Sequence, residues 1–146
     1  MLRFMTAFIT VLATAALSAH VTVSPKESAA GASQRYIVRV PTEGAVATTA
    51  VTLDIPDGVV VTDVPKGDGF TAVAKREGTR TVTITWTRDI KPHEAAEFVF
   101  VAVNPASPGE VRWKAHQRFA DGTTTDWVGT TGERRPASVT RIIAAK

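Results

Sequence analysis

From position 20 onward the chain alternates apolar and polar residues with a period of two, and no stretch sustains the period of a helix. Tyr36, Val38 and Val40 fall on one side of a run whose other side carries Arg35 and Arg39. Val51, Leu53 and Ile55 alternate with Thr52 and Asp54, and Val82, Ile84 and Trp86 alternate with threonines. Successive side chains of a strand point to opposite faces, so each run buries its apolar face only by packing on a second sheet. Turn signals punctuate the runs: Pro41-Thr42-Glu43-Gly44, Pro56-Asp57-Gly58, Gly67-Asp68-Gly69, Glu77-Gly78 and Asp121-Gly122. The pattern predicts strands over 20–24, 34–40, 49–55, 59–64, 70–75, 81–87, 98–103, 110–119 and 123–128, with a further one over 137–143. Residues 25–32 read as a loop. About nine short strands separated by such turns predict one all-β domain, an immunoglobulin-like antiparallel β-sandwich. That fold by itself implies no function.

The first residues do not belong to this pattern. Met1-Leu2-Arg3 is a short cationic opening, an uncharged and mostly apolar run follows to Leu17, and Leu17-Ser18-Ala19 ends in a small residue. This is the form of an export signal, read here as residues 1–19, with cleavage after Ala19 and a mature domain over 20–146; cuts after Ala16 or Ser18 stay open as alternatives. The apolar run is shorter than the roughly 20 residues of a membrane span. A periplasmic or secreted protein without a stable span after cleavage is expected.

The cut decides what kind of residue His20 is. At a free N-terminus it carries an α-amine as well as its imidazole, and the amine and Nδ1 can grip one metal ion together. The α-amine has a reference pKa of about 7.7–8.0, low enough to lose its proton near neutral pH.

Sulfur is absent from the mature chain, because the protein has no cysteine and its two methionines are Met1 and Met5. A metal site here uses nitrogen and oxygen, a donor set that suits Cu(II), whereas Cu(I) prefers thiolate or thioether. The formal charge is +3, and the basic residues are scattered apart from Arg134-Arg135. Without aromatics interleaved among them, they form no platform for nucleic acid. There is no phosphate-binding glycine loop, no His-Glu-x-x-His pair and no activated nucleophile.

Strand parity sets His116 beside Arg112, Lys114 and Arg118, a cationic solvent face that repels a metal. His93, next to Pro92 and Glu94, reads as an exposed turn residue. For a carboxylate partner to His20, topology favours Glu43: if the first two strands pair antiparallel, the start of one lies beside the end of the other. Glu27, Glu94, Asp121 and Asp126 stay open as rivals. Trp127 is either a half-buried strand aromatic or one wall of a metal site.

His20-Val21-Thr22-Val23-Ser24-Pro25, Val40-Pro41-Thr42-Glu43 and Phe119-Ala120-Asp121-Gly122-Thr123 with Trp127 resemble the YcnI-like copper-binding domain of bacterial exported proteins. Residues 86–100, with Ile90-Lys91-Pro92, fit the same pattern, so the resemblance spans 20–128. It implies a Cu(II) brace with a single histidine: His20 gives amine and imidazole, Glu43 gives carboxylate oxygens, and Trp127 lies beside the metal. It also implies a role in copper storage, delivery or detoxification, with other copper-handling envelope proteins as partners and no enzymatic turnover. The chain departs from the family at Phe70, where tryptophan is frequent, at His93, where glycine is common, and in having no C-terminal membrane helix. Two alternatives belong to other classes. A copper oxygenase of the histidine-brace type needs a second histidine on the metal, and parity turns His116 away. A metal-free interaction sandwich needs none of these residues.

Overall fold

The structure is a computed structural model and describes residues 19–146, so the signal reading of residues 1–18 lies outside the described residues. Every regular element among the described residues is a strand: β1 Thr22–Ser24, β2 Glu27–Ala29, β3 Ser33–Pro41, β4 Thr48–Asp54, β5 Val60–Asp63 and β6 Thr71–Glu77, followed by β7 Arg80–Ile90, β8 Ala95–Val103, β9 Gly109–Trp113, β10 Ala115–Phe119, β11 Thr124–Trp127 and β12 Ser138–Ile143. They form a four-stranded sheet β1-β3-β8-β5, a five-stranded sheet β11-β10-β4-β7-β6 and a three-stranded sheet β2-β12-β9. All pairings are antiparallel except β2 with β12. Among the described residues no helix is long and apolar enough to cross a membrane.

The core sits where the alternation places it. Tyr36, Val38 and Val40 from β3, Val51 and Leu53 from β4, and Ile84 and Trp86 from β7 are all buried. Aromatic rings join the sheets across it. Trp86 of β7 stacks on Phe98 of β8 at 5.5 Å, and Trp113 of β9 meets Tyr36 of β3 at 4.9 Å. Such pairs add about 0.5–1.5 kcal/mol each beyond the area they bury. The Tyr36 hydroxyl donates to Asn104 Oδ1 at 2.6 Å, and burial pushes its pKa up to about 12. A buried phenol stays neutral because nothing there would solvate its anion.

Two strands differ from the sequence expectation. Residues 110–119 are not one strand: β9 and β10 break at Lys114, whose carbonyl accepts from Asp54 N at 2.9 Å. The chain thereby leaves the three-stranded sheet for the five-stranded one. Side-chain parity survives the break, with Trp113, Ala115 and Gln117 all buried, which is why period alone does not reveal it. Residues 25–32 contain β2, because the chain after Pro25 meets the C-terminal strand β12, with Glu27 opposite Arg141. Three residues that owe their strand to a partner more than a hundred positions away carry no local signal.

Candidate metal centre

The register of β1 on β3 places the first candidate. Thr22 pairs with Arg39, and continuing that register by two residues sets His20 opposite Pro41. The end of β3 then leads through buried Thr42 to exposed Glu43. Thr42 is held on several sides: its amide donates to the Glu94 carbonyl at 2.9 Å, and its hydroxyl to the Ile90 carbonyl at 3.0 Å. Its carbonyl accepts from the His93 amide at 2.7 Å. Glu43 thus departs from a fixed backbone position although its own side chain faces solvent.

Trp127 closes the site from the five-stranded sheet. It ends the edge strand β11, pairs with Ala115 of β10 and is 8% exposed. Its ring centroid lies 5.3 Å from that of His20, with the planes tilted by 51°. The indole N–H donates to Gln117 Oε1 at 3.0 Å, while Gln117 Nε2 donates to the Pro41 carbonyl at 2.9 Å and to Thr48 Oγ1 at 2.7 Å. A single buried glutamine therefore ties the Trp127 ring to the backbone two residues before Glu43. The indole nitrogen is thus taken up by Gln117 while the ring lies beside His20.

His20, Glu43 and Trp127, the three residues picked from the sequence, line one open cleft of about 640 Å³. Asp121, Thr125, Arg134 and Arg135 line it too. Hydrogen bonds from the Thr123 hydroxyl and amide to Asp121 Oδ1, at 2.6 and 3.0 Å, hold that carboxyl below the usual carboxylate range. Among the described residues no three His, Asp or Glu side chains converge on a point fit for a metal ion. A metal at His20 therefore needs a donor from the backbone. With Ala19 attached, the His20 nitrogen is an amide; only at a free N-terminus would it be an amine that can coordinate.

The structure separates the rival carboxylates. Glu27 is bound to Arg141, whose Nε donates to it at 3.1 Å. Asp126 and Asp54 accept from the two ring nitrogens of His116, from Nδ1 at 2.7 Å and from Nε2 at 3.0 Å. His116 is therefore set between two carboxylates and not on the purely cationic face that parity implies, because β4 and β11 supply neighbours that its own strand does not. Burial pulls its pKa down, but the hydrogen bonds and charges of Asp54 and Asp126 outweigh this and raise it above 6.5. Glu94 and His93 line a neighbouring depression with Glu43. Of the rivals, only Asp121 shares the cleft with His20. Sequence reasoning missed Gln117, although a polar residue at inward parity between Ala115 and Phe119 was its signal.

The chain matches a family model described as a domain of unknown function, DUF1775, over residues 20–142. It is 35% identical over 136 residues to the copper-binding protein CutI of Bacillus subtilis (strain 168), covering 91% of this chain and 67% of that protein. Among solved structures, an uncharacterized protein from Nocardia farcinica with an immunoglobulin-like fold is 28% identical and superposes with a TM-score of 0.71, covering 86% of this chain and 99% of the other. A cohesin module of a family 33 glycoside hydrolase from Clostridium perfringens shares the fold alone, at 13% identity and a TM-score of 0.57, over 87% of this chain and 98% of the module.

Proposed function

Since this chain belongs to the DUF1775 family, whose YcnI-like copper-binding pattern runs through its opening strand and its Trp127 turn, we propose that it is an exported Cu(II)-binding protein of the cell envelope. The observation that carries the reading is the cleft in which His20, Glu43 and Trp127 meet although they are far apart in sequence. CutI, a relative across most of the chain, is a copper-binding protein, and this supports the choice of metal.

In the proposed mature protein the first residue is His20. Its amine and imidazole occupy two adjacent positions of a tetragonal Cu(II), and Glu43 supplies oxygen. The Trp127 ring, fixed by Gln117, covers one side of the ion and limits further ligands on that side. All the protein's donors are nitrogen or oxygen, so the site prefers Cu(II) to Cu(I) and releases copper on reduction. That property fits storage, delivery or detoxification. We propose binding without turnover, and the engagement of His116 by Asp54 and Asp126 away from the cleft supports this over an oxygenase with a second histidine ligand.

The test is the N-terminus itself. Protein beginning at His20 binds one Cu(II), and a variant that keeps one residue before His20 loses most of its affinity because its amine is now an amide. Equal affinity in the two forms overturns the brace. Mass spectrometry of the exported protein checks the cleavage position independently.

A further inference from the structure

The cleft is ligand-sized. Its volume of about 640 Å³ far exceeds the roughly 30 Å³ share of a water molecule and falls in the range of small-molecule sites. A metal ion beside His20 occupies one part of it. Arg134 and Arg135 line the same cleft, both exposed and neither in an ion pair among the described residues.

These arginines are not on a loose tail. They sit in the turn between β11 and β12, which is pinned at its neck. Gly129 N donates to the Arg135 carbonyl at 2.9 Å, Ala137 N donates to the Gly129 carbonyl at 2.8 Å, and Gly129 and Pro136 form a parallel bridge. Inside the turn, the Glu133 amide bonds the Thr130 carbonyl at 3.1 Å and the Thr130 hydroxyl bonds Glu133 Oε1 at 2.8 Å. Glycine at 129 lets the neck close tightly, since a Cβ there would press on the Glu133 side chain and lie 3.0 Å from the Arg135 carbonyl. A closed turn of this kind fixes the backbone from which Arg134 and Arg135 reach the cleft.

Two cations at the mouth work against the entry of a bare Cu²⁺ ion and in favour of a negatively charged complex. With Cu(II) in place the charges lining the cleft are those of the metal, Glu43, Asp121, Arg134 and Arg135, and they sum to a positive value. The brace and Glu43 also leave coordination positions for oxygen donors. We infer that the cleft takes Cu(II) as a complex with a small polycarboxylate, one carboxylate remaining on the metal and another held by the planar, two-pronged guanidinium groups of Arg134 and Arg135. This rests on the copper reading of His20 and Glu43, and adds to it the chemical form of the cargo.

The experiment uses the exported protein with its native N-terminus and citrate as the probe. Cu(II) is first titrated alone in a weakly coordinating buffer, which tests the copper reading without the arginines. Citrate is then added to the copper-loaded protein, followed by calorimetry and by the Cu(II) electron paramagnetic resonance spectrum. The expected result is a new spectrum of a ternary species, with citrate bound at least about 10-fold more weakly by the Arg134→Ala/Arg135→Ala variant. That variant should bind Cu(II) alone at least as tightly as the native protein does, since two cations no longer oppose the bare ion. Imidazole, a neutral ligand for the same open positions, should bind both proteins equally.

Citrate that strips copper from both proteins without a ternary spectrum, or binds both alike, overturns the inference and leaves the copper site standing. Inorganic phosphate bound by the copper-free protein as tightly as citrate is bound by the loaded one also overturns it, in favour of a plain anion site. Failure of the first titration removes both the copper reading and the ternary complex.

Discussion

Replacing Gln117 by leucine tests whether one buried amide holds the Trp127 side of the cleft. Gln117 is 2% exposed and spans two sheets, from Trp127 on β11 to Pro41 at the end of β3. Leucine fills a similar volume but makes none of the three hydrogen bonds. Thr48 Oγ1 keeps a partner in Thr42 Oγ1 at 2.7 Å, so the groups left wanting are the Trp127 indole N–H and the Pro41 carbonyl. Two such groups at about 1–3 kcal/mol each come to about 2–6 kcal/mol. The apolar burial of leucine offsets about 1.5–3 kcal/mol of that. The net expectation is a loss of about 0.5–3 kcal/mol, which in urea lowers the unfolding midpoint by roughly 1 M. The sharper reading comes from a double-mutant cycle with Trp127→Phe. Phenylalanine removes the N–H that Gln117 accepts from, so in that background Gln117→Leu should be milder by about 1–3 kcal/mol. Cu(II) titration of the folded Gln117→Leu protein should show weaker binding, as the ring loses its fixed place beside His20. If the two substitutions prove additive within about 0.5 kcal/mol, the bond between them does no work and the tie from Trp127 to Glu43 fails as an explanation.

Four further outcomes follow from the same residues. Glu43→Gln should leave unfolding unchanged and weaken Cu(II) binding by at least the about 10–100-fold typical of losing a supporting group at a metal site; a full effect from Asp121→Asn with none from Glu43→Gln would transfer the ligand role to Asp121. Cu(II) should quench tryptophan fluorescence, ascorbate with a Cu(I) chelator should restore it, and Trp127→Phe should lose most of the signal, because Trp86 and Trp113 are buried in the core; an undiminished signal in that variant places the metal elsewhere. His93 has a backbone φ of 66°, in the left-handed region that favours glycine, so His93→Gly should stabilise by up to about 1 kcal/mol and raise Tm by a few degrees; a clear fall in Tm would mean that the His93 side chain contributes to the fold. His116 has a folded pKa above its unfolded 6.5, so its pairing with Asp54 and Asp126 is fully present below pH 6.5 and is lost as pH rises through the folded value; the stability difference between the metal-free protein and His116→Asn, from urea unfolding at pH 5 to 8, should shrink toward alkaline pH, and a difference independent of pH refutes the charged pairing.

Much of this molecule is fixed by local pattern. Alternation puts Tyr36, Leu53, Ile84 and Trp86 inside and makes a two-layer β fold the only economical way to cover them. The position of His20 after a signal-like segment, and the absence of sulfur beyond Met5, set the available donors to nitrogen and oxygen before any tertiary contact is known. That Glu43 lies at the same end of the sheet as His20 was legible because antiparallel pairing sets the start of one strand beside the end of the other, and the pairing of Thr22 with Arg39 has that sense.

What periodicity could not supply is the neighbour across the sheet. Glu27 and Asp121 look alike in sequence, yet β12 delivers Arg141 to the first while the turn after β10 leaves the second in the cleft. The parity of His116 is right, but its environment comes from Asp54 and Asp126 on flanking strands. Gln117 and the Arg134-Arg135 pair read as ordinary polar residues until the register of β10 and the closed turn after β11 carry them to the same cleft. A strand's own residues decide which side each side chain takes; register and sheet order, set by the packing of the whole domain, decide what each side chain meets.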